Sequence, residues 1–279
     1  MKSGTLYIVA TPIGNLEDIT FRAVRILGEV DLIAAEDTRH SRKLLTHYGI
    51  SRPLTSYFDH NKEFKGGFIM GKLREGADVA LISDAGTPCI SDPGFQLVRE
   101  AVAEGIRVVP IPGPSSPVAA LSAAGLPTDR FAYEGFLPSR QGKRREKLLS
   151  VRSEERVVVF FETSKRLCAA LEDILEMLGD RGLVIARELT KIHEEFIRGN
   201  AAQILVGLKE RQLKGEVVLL VAPAAHMGEK GGIPVSALLR RYMESDGLSM
   251  RDAVKLAALE TGRPRGEVYA EALMIKGGK

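Results

Sequence analysis

Four short polar stretches, each following an apolar run, hold most of the residues in this chain that could do chemistry. The richest is Ser83-Asp-Ala-Gly-Thr-Pro-Cys-Ile-Ser-Asp-Pro-Gly94. Asp84 can accept hydrogen bonds from ribose hydroxyls or an amine. Gly86 and Gly94 allow close backbone approach or a positive φ. Pro88 and Pro93 stiffen the stretch, so that backbone groups near Ser83, Ala85 and Gly86 stay aimed. Asp92 reads differently, as the cap of a helix starting near Phe95. The second stretch, Ala10-Thr-Pro-Ile-Gly-Asn15, places Pro12 and Gly14 in a turn of the kind that meets ligands at strand ends of α/β sheets. In the third, Glu36-Asp-Thr-Arg39, Asp37 can accept from hydroxyls and Arg39 can hold a phosphate or carboxylate; the plainer alternative is Asp37 as a helix cap with Arg39 solvated. In the fourth, Ser115 and Ser116 can bind a carboxylate or phosphate, and Ser115 can equally cap a helix beginning near Pro117. Many backbone polar groups with few charged side chains suit a zwitterionic, adenosine-bearing small molecule.

Two corners of the second half add chemistry. Phe160-Phe-Glu-Thr-Ser-Lys-Arg166 brings Phe161, Glu162 and Lys165 together, and Arg187-Glu-Leu-Thr-Lys191 precedes His193-Glu-Glu195. Neither is a zinc-type His-Glu-x-x-His helix, so no metal is expected. Residues 139–147 carry five cations in nine positions: Arg140, Lys143, Arg144, Arg145 and Lys147. That run is either a solvated loop or a contact for the phosphate backbone of RNA.

The elements that must position these groups follow from periodicity. Short β-rich runs at 5–9, 32–35, 53–58, 79–82 and 107–111 alternate with helical stretches such as 39–48 and 95–104, each stopped by glycine. This predicts an α/β domain over residues 1–113 with a mostly parallel sheet. Three prolines within residues 112–117 punctuate the chain. A second α/β domain is expected over 114–226, with strands at 131–136, 156–162, 183–189, 193–198 and 217–222 and some antiparallel pairing. Its clearest helix, 164–178, carries Leu167, Leu171, Ile174, Leu175 and Leu178 at 3.6-residue spacing. A Gly-rich linker at 227–232 leads to helices only, over 233–279, with Ser249 capping the middle one; they form either a helix-turn-helix-like appendage or a plain helical cap.

The 279 residues, 44% hydrophobic, suffice for a sizeable core. A net charge of +3 permits an anionic partner without demanding one. Two distant cysteines make neither a disulfide framework nor a metal spacing, which fits a reducing, cytoplasmic compartment. No run approaches the 18 apolar residues of a membrane span.

Taken in order and spacing, TPIGNLEDIT, AEDTR, SDAGTPCISDPG and PGPSS resemble the RNA-modifying branch of the tetrapyrrole methylase superfamily, the bacterial 16S ribosomal RNA 2′-O-ribose methyltransferases. The resemblance continues through EGFLPSR, FFETSKR, RELTKIHEEFIRG and KGEVVLLVAP, so it spans nearly the whole chain. It implies two α/β domains with S-adenosylmethionine in the cleft between them, a homodimer, and methylation of the ribose of cytidine 1402 in the RNA of the small ribosomal subunit. Cofactor contacts are then expected from Pro12, Gly14, the Asp84–Pro88 segment, Ser115, Ser116, Phe161, Leu189, Ala222 and Pro223. Asp37 and Glu162 are the candidate acceptors in catalysis; Arg39 and Lys165 are the candidate phosphate or oxyanion holders. Where the wider superfamily has Gly-x-Gly-x-Gly in its first loop, this chain has Thr11-Pro12-Ile13-Gly14-Asn15, which argues against a porphyrin-type substrate. The competing readings are a precorrin-type methyltransferase and a non-catalytic ribosome-assembly factor; the absence of Gly-x-Gly-x-x-Gly after a strand disfavours a nicotinamide enzyme.

Overall fold

The computed structural model of the protein describes residues 3–58, 62–209, 211, 213–224, 234–245, 248–261 and 263–277. The expected linker at 227–232 lies outside them. The first half alternates as its sequence demands: β1 (Thr5–Val9), α1 (Phe21–Glu29), β2 (Leu32–Ala35), α2 (Thr38–His47), β3 (Leu54–Ser56), α3 (Lys62–Arg74), β4 (Val79–Ile82), α4 (Phe95–Ala103), β5 (Arg107–Ile111) and α5 (Ser116–Ala124). The strands form one sheet in the order β3-β2-β4-β1-β5, and every pairing is parallel. Leu-Ile-Ala-Ala in β2 and Val-Ala-Leu-Ile in β4 are buried at every position, as central parallel strands covered on both faces must be. Thr20 starts α1 by accepting from the Ala23 amide.

The second half contains β6 (Phe131–Phe136), α6 (Gln141–Ser150), β7 (Val157–Thr163), α7 (Ser164–Leu178), β8 (Gly182–Arg187), β9 (Glu195–Asn200), α8 (Ala201–Lys209) and β10 (Glu216–Val221). Its sheet runs β6-β7-β10-β8-β9; β6 pairs parallel with β7, and the other pairs are antiparallel. The basic run, expected to be a loop if it was only a solvated surface, is the first turns of α6. Leu167, Leu171, Ile174 and Leu178 of α7 pack into the core of this half with Phe160 and Leu219, and Gly179 takes φ +79° just past the helix end. The two sheets belong to one compact unit, Met1–Arg152 with Val157–Ala222.

A second unit comprises Ser153–Arg156 with Pro223–Lys279. Here α9 (Val235–Arg240) runs into a π-helical turn (Arg241–Ser245), followed by α10 (Met250–Thr261) and α11 (Arg265–Gly277). Val235, Leu238, Leu239, Val254, Ala257, Ala258, Val268 and Ala272 form its own small core. Ser249 caps α10 as its sequence suggests: its hydroxyl accepts from the Asp252 amide and donates to the Asp252 carboxylate. Among the described residues no helix is long and apolar enough to cross a membrane.

Candidate active site

The loop after β4 ties together the loops that leave the same edge of the first sheet. Thr11 and Gly86 exchange backbone hydrogen bonds of 2.9 and 3.0 Å, and the Thr11 hydroxyl donates to the Ser83 carbonyl. The Thr87 hydroxyl donates to the Pro114 carbonyl at 3.1 Å. The Asp84 carboxylate accepts the Asp37 amide at 3.0 Å. Loops after β1, β2 and β5 are thus all fastened to the loop after β4, at the carboxyl ends of parallel strands where α/β sheets bind ligands. Gly86 at φ +80° makes its exchange with Thr11 in a conformation that a side chain would strain.

Between these loops and the second sheet lies a cleft of about 280 Å³. The first half lines it with Ile13, Ala85, Gly86, Thr87, Ile90, Ser91, Asp92, Ser115, Ser116 and Pro117. Ser115 stands at the N-cap of α5 but makes no side-chain cap bond, which leaves its hydroxyl for the cleft. The second half contributes Phe136, Phe161, Glu162, Thr163, Ala186, Leu189 and Glu216–Val218. In β7, strand alternation sends Phe160 into the core and Phe161 to the cleft. Phe161 is fixed there by edge-on contacts of 5.2 Å with Tyr133 and with Phe136.

Of the three carboxylates at the wall, Glu216 pairs with Lys191, and the other two are Glu162 and Asp92. Glu162 is buried; its Oε1 accepts from the Thr163 amide and from Arg166 Nε, both at 2.7 Å, and its Oε2 has no hydrogen-bond partner among the described residues. Asp92 is pushed up to about 6, first by burial, then by the charges of Glu36 and Asp84, with a Ser83 hydrogen bond opposing. Asp92 was expected to cap α4, yet that helix starts at Gly94 (φ +144°) with no side-chain cap bond. The backbone explains the difference: Cys89 and Ser91 take positive φ, and this turn presents Asp92 to the cleft.

The model of the tetrapyrrole (corrin/porphyrin) methylases matches residues 5–205. The chain is 47% identical to the ribosomal RNA small subunit methyltransferase I of Escherichia coli O157:H7, over 99% of this chain and 97% of that one. It is 48% identical to the protein of the same name from Pseudomonas aeruginosa, over 99% of both. The chain belongs to the ribosomal RNA small subunit methyltransferase I family of tetrapyrrole methylases. Among solved structures, a cobalt precorrin-4 methyltransferase superposes with a TM-score of 0.60 at 18% identity, over 78% of this chain and 94% of that one. A diphthine synthase does so at 0.61 and 16%, over 78% and 90%. At these identities the likeness is one of fold.

Within this tetrapyrrole methylase frame, the expected site residues divide. Ala85, Gly86, Ser115, Ser116, Phe161, Leu189 and Glu162 line the cleft. Ser83, Pro12 and Pro88 are buried behind it, and Asp84 braces the turn at Asp37. Gly14 faces the other half: a Cβ there would meet Lys191 Cγ at 2.5 Å and Thr190 Oγ1 at 2.9 Å. Ala222 and Pro223 lie at the wrong end of β10. That strand runs antiparallel to β7 and β8, so its beginning, Glu216–Val218, reaches the cleft and its end does not. Asp37 caps α2, accepting from the Arg39 and His40 amides, and the first of these bonds is the main cause of its lowered pKa. Arg39 and Lys165 are exposed and do not line the cleft.

The basic run is corrected most. Arg144 is buried and pairs with Asp173 at 2.6 Å. Arg145 reaches both Asp173, at 2.8 Å, and Glu176; Lys147 pairs with Glu134. Three of the five cations fasten α6 to α7 and β6, because a run on a helix turns some of its charges inward. Arg140 and Lys143 stay exposed. Thr87, within the expected Asp84–Pro88 segment, also lines the cleft; sequence reading missed Ile13, Ala186 and Val218 as wall residues, and the alternation of β8 and β10 was the available signal for the last two.

Proposed function

We propose that this protein transfers the methyl group of S-adenosylmethionine to the ribose 2′-hydroxyl of cytidine 1402 in 16S ribosomal RNA, acting on the small ribosomal subunit in the cytoplasm as a homodimer. The observation that carries this reading is the near-full-length identity of 47–48% to ribosomal RNA small subunit methyltransferases I, joined to a cleft assembled from the loops that carry the family's motifs.

The cleft fits the cofactor class. Apolar Ile13, Phe161, Leu189 and Val218 offer a face to a purine and a thioether-like chain. Ser115, Ser116 and Thr87 offer partners to ribose hydroxyls and an amino-acid end. S-adenosylmethionine supplies an electrophilic methyl carbon on a leaving group that is already positively charged. What remains for the chain is to hold the acceptor hydroxyl in line with that carbon and to keep water out. The carboxylate of Asp92 gives the wall a negative character that suits a cationic sulfonium. We assign ligand contact to Ala85, Gly86, Asp92, Ser115, Ser116, Phe161, Glu162 and Leu189. Pro12, Gly14, Ser83, Asp84 and Pro88 then act behind them, holding the loops. We also propose that residues 1–113, 114–226 and 233–279 are the domains of the chain: two α/β domains and a C-terminal helical one.

Mass-spectrometric mapping of 16S ribosomal RNA nucleosides tests the reading in cells. A strain lacking the protein should lose the 2′-O-methyl group at cytidine 1402, and restoring the gene should return it. An identical nucleoside pattern in both strains would refute the assignment.

A further inference from the structure

Several clustered cations of this protein are matched with acids. On α6, Arg144, Arg145 and Lys147 all have carboxylate partners. Between α10 and α11, Arg263 pairs with both Glu267 and Glu271. One concave surface of the helical unit instead gathers cations that have no such partner among the described residues. It is lined by Ser249, Arg251, Asp252, Val254, Lys255, Arg265, Gly266 and Tyr269. Arg251 and Lys255 are four residues apart on α10, and Arg265 and Tyr269 are four apart on α11, so each pair shares a helix face. The single carboxylate there, Asp252, is engaged by the Ser249 hydroxyl. Among the described residues none of the three cations has an ion-pair partner, and Tyr269 is 44% exposed.

We propose that this groove between α10 and α11 binds the phosphate backbone of the RNA substrate, with Tyr269 stacking on an unpaired base. The proposal rests on the reading of the protein as an RNA methyltransferase and names the surface that grips the RNA. Three unmatched cations around one concavity fit a chain of regularly spaced phosphates. An exposed aromatic ring among them gives an unstacked base a face to lie on, the arrangement that single-stranded RNA readers use. The helical unit has its own apolar core, so Arg251, Lys255 and Arg265 are free of any packing duty.

The test compares the full-length protein with a triple variant, Arg251→Gln, Lys255→Gln and Arg265→Gln, for binding to a 16S ribosomal RNA fragment carrying cytidine 1402. The expected loss of affinity is about tenfold or more, and the dependence of log K on log salt should become shallower by about 2, the value for three phosphates on a single strand. Calorimetric affinity for S-adenosylmethionine and the melting temperature should stay at wild-type values. Lysine in place of Arg251 and Arg265 should retain most of the RNA affinity, and Arg263→Gln, which removes an already paired cation, should leave it unchanged. Unaltered RNA affinity and salt slope in the triple variant, beside a wild type that methylates small subunits, would overturn the groove and leave the function standing. A wild type that neither binds nor methylates them would overturn the function itself. If the triple variant instead loses binding only to vesicles of anionic phospholipid, RNA is the wrong occupant.

Discussion

The first sheet delivers its side of the cleft through loops and a helix start, whereas the second delivers its side almost entirely through strands. Ile13, Ala85–Thr87, Ile90–Asp92 and Ser115–Pro117 all lie beyond strand ends; Phe136, Phe161–Thr163, Ala186 and Glu216–Val218 all lie within strands. Between Ser83 and Gly94 four residues take positive φ, namely Gly86, Cys89, Ser91 and Gly94. The strand side has regular geometry and supplies shape, with Phe161 clamped between two rings. The loop side has strained geometry and supplies hydroxyls, exposed backbone and the perturbed carboxylate of Asp92. Chemistry is therefore concentrated where the backbone is least regular, and the regular sheet forms the wall against which it works.

Phe160→Ala and Phe161→Ala test the strand side most severely. The two rings are adjacent in β7, one in the core and one at the cleft. Phe160→Ala should cost about 4 kcal/mol of stability in urea unfolding. Phe161→Ala should cost about 1–2 kcal/mol, because its ring is only half-buried, but weaken cofactor binding about tenfold or more in calorimetry. Equal effects of the two variants on both quantities would break the division between core and wall.

Gly94→Ala tests the strain on the loop side. Its φ of +144° disfavours a side chain, and a Cβ would meet Cys89 Sγ at 2.5 Å and Leu81 Cδ2 at 2.9 Å. The variant should lose about 2–3 kcal/mol in urea unfolding and should also weaken cofactor binding. A neutral result would mean that the turn presenting Asp92 is not held by this geometry.

The smallest effect concerns the charge of Asp92. Its carboxyl titrates near 6 in the fold against an ordinary value of 3.8, so the folded protein holds that proton more tightly. The resulting destabilisation is fully present above pH 6 and vanishes as the pH falls below the ordinary value. Asp92→Asn should therefore raise the melting temperature by a few degrees at pH 8, with the gain shrinking toward zero near pH 4. A constant gain, or one that grows on acidification, would contradict the burial of this carboxylate. The same variant should weaken cofactor binding more than Asp84→Asn does, since Asp84 faces the Asp37 amide rather than the cleft.

Sequence made the α/β character and the run of strands legible because apolar periodicity reports burial directly; β2 and β4 are continuous apolar runs, and α7 begins and ends at the residues its periodicity marks. The cleft was legible as a set of loops but not residue by residue. The direction of Asp92 depends on positive φ at Cys89 and Ser91, residues whose types do not announce it. The misplaced Ala222 and Pro223 came from strand direction: a run of β residues looks the same whether its beginning or its end meets the site. The basic run misled for a further reason. Charge density along a sequence does not reveal that Asp173, 29 residues beyond Arg144, stands opposite it.

The central claim is that this cleft transfers a methyl group to a ribose of ribosomal RNA. Purified protein incubated with S-adenosylmethionine and small ribosomal subunits from a strain lacking it tests this most directly, with tandem mass spectrometry of the digested RNA as the readout. The account predicts one new methyl group, on the ribose of cytidine 1402, and its loss in Phe161→Ala at limiting cofactor. A methyl group on a base, on another nucleotide, or on no RNA at all would contradict it.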